Sequence, residues 1–141
     1  MGSFEYFEHT ADVGIRVFAE DAKDLFYQGA LAVVGVMVER RPGTKSAGGV
    51  MREFRLPQAA LEEQFLRWLR ELLYYFQVEK FVFTGIRKFA QSSGSLIILA
   101  QGERFDPRFY QPGHEIKAVT YHRYQLISKG QGYESAFILD L

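Results

Sequence analysis

Apolar and polar positions interleave with a period of two at the start of the chain. Val13, Ile15, Val17 and Ala19 share one side against Arg16, Phe18 and Glu20, as in a half-buried strand, and residues 4–7 form a shorter strand before it. The period then lengthens. Leu25, Phe26, Gly29, Ala32, Val33 and Val36 recur every three or four residues, which predicts a helix from Ala22 to about Val38 with Asp21 as its N-cap. Residues 41–49, rich in Pro, Gly and Ser, read as a loop, and strand character returns over 50–56. A second helix is predicted to start at Pro57. Its apolar stripe is Leu61, Phe65, Trp68, Leu69, Leu72, Leu73 and Phe76, with Glu63, Arg67 and Glu71 four apart on the other side. The remainder reads as strands over 81–90, 96–100, 117–128 and 133–141, with turns at 92–94 and 130–132 and a Pro-containing excursion over 106–113. This order predicts an α+β fold, a two-layer sandwich with two helices packed on one face of an antiparallel or mixed β-sheet.

Length and composition narrow the picture. The 141 residues suit one domain, residues 1–141, and a domain of that size buries roughly 68–70% of the surface of its unfolded chain. Thirteen Phe and eight Tyr within a 48% hydrophobic chain argue against disorder. Seventeen basic residues balance seventeen acidic ones, which disfavours a general nucleic-acid binder that works by counterion release. The absence of cysteine removes disulfides, thiolate metal sites and a Cys nucleophile. With no secretory pattern at the start and no apolar run near the ~18 residues that span a bilayer, the expected location is cytoplasmic.

Few constellations carry chemistry. There is no Gly-x-Ser-x-Gly elbow, and the Lys45 and Ser46 of the glycine-rich loop lead into a strand where a phosphate loop would lead into a helix. His9, His114 and His122 form no ligand array. Asp12 stands alone in His9-Thr10-Ala11-Asp12-Val13-Gly14, and Asp140 precedes Leu141 at the end of the sequence. A strand ending there would hold the Leu141 carboxylate beside Asp140, and two such anions need a cation, a buried donor set or a proton to offset their repulsion. Spacing alone ranks an Asx-turn role for Asp12 and a solvated role for Asp140 above a shared metal site, because carboxylates so far apart in sequence carry no ligand-spacing signature.

The string 9–14 resembles the opening motif of the archease family. Trp68-Leu69-Arg70-Glu71-Leu72-Leu73-Tyr74 is similar to its central helix, Glu115-Ile116-Lys117-Ala118-Val119-Thr120-Tyr121-His122 to its late strand, and Asp140-Leu141 to its terminus. The resemblance spans the chain. It implies a small cytosolic accessory protein of the RtcB-type RNA-splicing ligase in tRNA splicing, one that promotes ligase guanylylation and repeated turnover. It also implies a divalent-metal site at Asp12, Asp140 and Leu141, with His9, Lys117 and His122 as supporting residues. All-oxygen ligation favours Ca²⁺, Mg²⁺ or Mn²⁺ over zinc. Thr120 carries over as a motif residue with a structural role, whereas the loop 41–49 matches no family feature.

Two function classes compete with such a non-enzymatic activator. One is a stand-alone metal-dependent hydrolase or phosphotransferase with His9 or His122 as base; the other is a chaperone-like accessory to RNA-modifying enzymes. The missing nucleophile and phosphate loop favour the activator over the enzyme.

Overall fold

The computed structural model describes residues 1–9, 11–44 and 49–141. Thr10, the Lys45 and Ser46 of the predicted loop, and the side chains of residues 8 and 9 lie outside the described residues. The elements run β1 (Ser3–His9), β2 (Asp12–Ala19), α1 (Ala22–Met37), β3 (Val38–Arg40), β4 (Val50–Pro57), α2 (Leu61–Glu79), β5 (Phe81–Ser92), β6 (Ser95–Arg104), β7 (Tyr110–Pro112), β8 (Ala118–Lys129) and β9 (Gly132–Asp140). The chain is α+β, and the described strand pairings are antiparallel.

The strands divide into three sheets where the sequence suggested one. Four strands pair in the order β1-β2-β9-β8, three as β4-β6-β5 and two as β3-β7. Both helices touch the two larger sheets: α1 lies against β1, β2, β9 and β5, and α2 against β8, β4 and β5. The helix pair joins these sheets through aromatic rings. Phe26 of α1 meets Phe65 and Trp68 of α2 and Phe89 of β5, while Trp68 meets Phe54 of β4 and Phe83 of β5, and Phe65 reaches Phe137 of β9. Each fully buried ring of this kind contributes roughly 1.5–3 kcal/mol. A Cβ on Gly29 would come within 2.6 Å of the Phe65 ring, so the two helices approach closely at a residue without a side chain.

Asp21 caps α1 as expected, its carboxylate accepting from the Asp24 N–H at 2.8 Å. Pro57 does not begin α2. It is the last residue of β4, paired with Ser95, and the helix starts at Leu61. Proline is compatible with a strand end because it has no N–H to leave unpaired there, and Gln64 Nε2 donates to the Pro57 carbonyl at 3.1 Å, tying strand to helix. The 106–113 excursion contains β7, which the Pro and Gly signals hid. Tyr110 fixes it: its buried hydroxyl donates to Glu103 at 2.7 Å, and Arg40 Nη1 reaches both Glu103 and the Tyr110 hydroxyl.

Replacing Trp68 by Ala removes a fully buried ring and its indole N–H bond to the Phe26 carbonyl. The expected loss is about 3–5 kcal/mol in urea unfolding. Burial first, and then its bond to Glu103, push the Tyr110 hydroxyl up to about 12, while burial raises Tyr124 in the same direction. The folded chain therefore keeps protons that unfolded tyrosines release near pH 10, so this contribution to stability is full below pH 10 and is lost as pH rises through about 12. Tyrosinate absorbance followed against pH should show these two groups ionising last, and Tyr110→Phe should delete one late step.

Candidate metal centre

Asp12 and Asp140 reach each other through strand register. Along β2 the odd-numbered residues Ile15 and Val17 enter the core, as do Phe137 and Leu139 along β9. Side chains alternate across a sheet, so the even-numbered residues of both strands share the opposite, outer face. Asp12 is the direct partner of Asp140, and Asp140 in turn faces Ala118 of β8. Directly opposed residues hold their Cβ atoms roughly 4.5–5.5 Å apart, and like charges in that position repel.

Three backbone features fix this corner. His9 pairs with Asp12, and just before Asp12 the backbone of Ala11 takes φ +63°, a left-handed conformation that costs a residue with a side chain roughly 1–2 kcal/mol. The Leu141 N–H donates to the Ala11 carbonyl at 3.4 Å, which lays residue 141 against this stretch. On the other flank the Lys117 N–H donates to the Asp140 carbonyl at 2.7 Å.

The floor beside the acids is apolar. The next row across the outer face is Gly14, Ile138 and Thr120. The Phe7 ring lies over Gly14, where a Cβ would meet it at 2.1 Å, and Arg16 covers that ring at 5.0 Å while bonding Glu5. Ile138 is buried although it faces away from the main core. Thr120 Oγ1 donates to the Ile138 carbonyl at 3.2 Å, the structural role expected of it.

Asp12 Oδ1 is buried and has no hydrogen-bond partner. An orphaned buried acceptor costs roughly 1–3 kcal/mol, more when charged, and no Asx-turn bond satisfies it. A hard cation bridging Asp12 and Asp140 would supply the missing partner and offset the repulsion, so the donor set fits a divalent ion with oxygen ligands. Among the described residues no three His, Cys, Asp or Glu side chains cluster, so the two aspartates are the side-chain arms this corner shows.

The other expected residues are placed differently. His9 lies one strand over, paired with Asp12. Lys117 is exposed and reaches the corner through its backbone. His122 is not brought to the pair: it sits in a bulge of β8, where four residues, 121–124, span the stretch opposite Phe137, with Arg123 at φ +57°. That places it roughly 10 Å or more along the strand from Asp140. No glycine marks the bulge, so the sequence carries no signal for it. The exposed His114 belongs to the segment before β8, its N–H bonded to the Val36 carbonyl.

The arrangement is that of a small α+β protein with a pair of opposed aspartates on the outer face of an antiparallel sheet. The archease protein family (MTH1598/TM1083) matches residues 4–141, and the chain belongs to that family. A protein archease of Sulfurisphaera tokodaii is 34% identical over 142 residues, covering 100% of both chains, and one of Pyrococcus furiosus is 37% identical over 86% of each. The fold is similar to the solution structure of Methanobacterium thermoautotrophicum protein 1598, with a TM-score of 0.77, 25% identity and 98% of both chains covered. It is also similar to the crystal structure of an archease from Thermotoga maritima, described as a possible chaperone, with a TM-score of 0.67 at 16% identity over 97% and 96% of the chains. The relatives' name carries no reaction.

Asp12→Asn and Asp140→Asn are each expected to weaken Ca²⁺, Mg²⁺ or Mn²⁺ binding in calorimetric titration by tenfold or more, on the order of what metal sites lose when their donors are disturbed. Without metal, Asp140→Asn should leave stability unchanged or raise it by a few tenths of a kcal/mol, as removal of a like-charge pair does. A large fall in melting temperature for both metal-free variants would make the acids structural.

Proposed function

We propose that this protein is a non-enzymatic activator of an RtcB-type RNA-splicing ligase in tRNA splicing and RNA repair. It acts in the cytoplasm, promotes formation of the guanylylated ligase and so sustains repeated turnover. The observation that carries this reading is the register pairing of Asp12 with Asp140 around an orphaned buried oxygen, in a chain of the archease family. In this reading Asp12, Asp140 and the terminal carboxylate of Leu141 hold the ion, and the Lys117 N–H fixes the Asp140 main chain. A bound divalent cation supplies charge neutralisation at phosphate oxygens. The chain's own part is to hold those anions at an exposed sheet corner on a rigid pair of strands.

A chaperone-like role is the second reading, favoured by the description of the Thermotoga maritima protein. The two differ in reversibility, since a chaperone leaves the ligase active after it is removed.

Purified ligase incubated with labelled GTP should accumulate guanylylated enzyme faster when this protein is present at substoichiometric amounts, and Asp12→Asn should lose the effect. Ligase that stays fast after the protein is removed would favour the chaperone; GTP hydrolysis by this protein alone, abolished by Asp12→Asn, would favour an enzyme. A single glycine appended after Leu141 replaces a carboxylate by a peptide carbonyl, so metal affinity and activation should both fall, while a residue added before Met1 should be silent. Full activity of the extended protein would remove Leu141 from the site.

A further inference from the structure

Cations outnumber carboxylates around one cavity of this molecule. Where α2 ends beside β4, β5 and β6, a recess of about 370 Å³ is lined by Arg52, Lys80 and Arg104 together with Glu79 and Glu103. Both carboxylates are already engaged. Arg52 Nη1 donates to Glu79 at 2.8 Å, and Glu103 accepts from Arg40 at 3.2 Å and from the Tyr110 hydroxyl at 2.7 Å. Arg40 stands outside the lining and its charge answers Glu103, which leaves Lys80 and Arg104 with no ion-pair partner among the described residues.

The backbone holds these two cations close together. Arg104 is the register partner of Phe81, the residue after Lys80, and the Phe105 N–H donates to the Lys80 carbonyl at 2.7 Å, so the strand pair runs on into the helix end. Lys80 takes φ +59°, the left-handed cap at which helices commonly end on glycine. A side chain is kept there against the preference of the backbone. The negative end of α2 offsets roughly half a unit of its charge, and Arg104 lies on a strand, where the dipole is small. More than one unit of positive charge therefore remains. Arg52 adds donors: it makes a single hydrogen bond, from Nη1, while its guanidinium stacks on Tyr75 at 3.6 Å and its Nε is buried without a hydrogen-bond partner. On the open side, Val50, Met51 and Val78 are 44%, 45% and 59% exposed and continue the lining as an apolar lip.

These features select a ligand. A cation or a neutral apolar molecule would leave Lys80 and Arg104 unanswered, and a monocarboxylate would answer only part of their charge. A phosphomonoester becomes a dianion above its second pKa of about 6 and offers three acceptor oxygens to guanidinium and ammonium donors. The recess, at about 370 Å³, has the volume of a single small ligand. A second copy placed about a two-fold axis would bring this cationic surface against itself. Single-stranded nucleic acid is held by a groove that tracks several phosphates and by aromatic side chains on which bases stack, whereas the exposed lip here is aliphatic.

We propose that this recess at the end of α2 is a binding site for a small phosphomonoester, its phosphate held by Lys80, Arg104 and Arg52 and its apolar part laid on Val50, Met51 and Val78. The recess belongs to the β4-β6-β5 sheet and the Asp12–Asp140 pair to the β1-β2-β9-β8 sheet. The site is therefore separate from that corner and independent of the proposed function.

The test compares phenyl phosphate with phenyl sulfate, which has nearly the same shape and a single negative charge, by calorimetric titration of the full-length protein. The titration is run with a chelator present, so that no metal ion carries the phosphate, and at about pH 8, where the phosphate is a dianion. Phenyl phosphate should bind about tenfold or more tightly than phenyl sulfate, the effect of one charge-assisted hydrogen bond. Lys80→Gly and Arg104→Gln should each remove most of that advantage. Glycine is at ease at φ +59°, and the Arg104 side chain makes no hydrogen bond among the described residues, so neither variant should lower the melting temperature. Lys88→Gln, which removes an exposed cation elsewhere on β5, should be silent. Equal affinity for the two probes, no saturable binding of either, or a loss in Lys88→Gln as large as in Lys80→Gly would overturn the site. Binding confined to a labelled, end-phosphorylated single-stranded RNA would overturn it in favour of nucleic acid, and self-association by sedimentation that Arg104→Gln abolishes would overturn it in favour of a second copy.

Discussion

The pairing of β2 with β9 is the constraint on which the rest of this structure depends. Eight consecutive residue pairs, from Asp12 with Asp140 to Ala19 with Tyr133, join the beginning of the chain to its end. Because side chains alternate with a period of two, a slip of β9 by one residue against β2 would send Phe137 and Leu139 to solvent and turn Asp140 inward, and a slip of β2 would do the same to Ile15, Val17 and Asp12. Burying four large apolar residues thus fixes the register, and the register sets two like charges face to face. The site is held by hydrophobic energy drawn from the opposite face of the same strands.

Much of this was legible in the residues. The period-two run from Val13, the capping Asp21 and the stripe from Leu61 to Phe76 each report local physics, and each produced the element it predicts. The division into separate sheets was not, because it depends on which strands find each other over long distances. Pro57 misled for a related reason, since its missing N–H suits both a strand end and a helix start. The bulge opposite Phe137 has no local sign at all, and His122 is kept from the acids by its place on β8, four residues beyond the Ala118 that faces Asp140. As for the candidate site, Asp12 and Asp140 drew attention as isolated acids, but spacing could not favour a shared role over two separate ones. Their alignment and the unpartnered Asp12 oxygen become visible only with the sheet assembled.

The helices place the corner indirectly. Trp68 and Phe26 lock the two helices into one unit beneath both larger sheets, and α2 then holds the approach to β8 by two side-chain bonds to main-chain carbonyls. A disturbance deep among the aromatic rings would consequently be felt at Lys117 and Asp140 without touching either.

The same connectivity has a kinetic consequence. β9 is an interior strand whose two neighbours come from opposite ends of the chain, so until it inserts, both β2 and β8 have an open edge. Local elements such as the β5–β6 hairpin and the helices form with short loop closures, whereas the β2–β9 ladder must close a loop of most of the chain. Folding should therefore be governed by this late closure, on the millisecond-to-second scale of non-local β topologies. Unfinished chains would present two unpaired strand edges, the form of exposure from which intermolecular strand pairing and aggregation start.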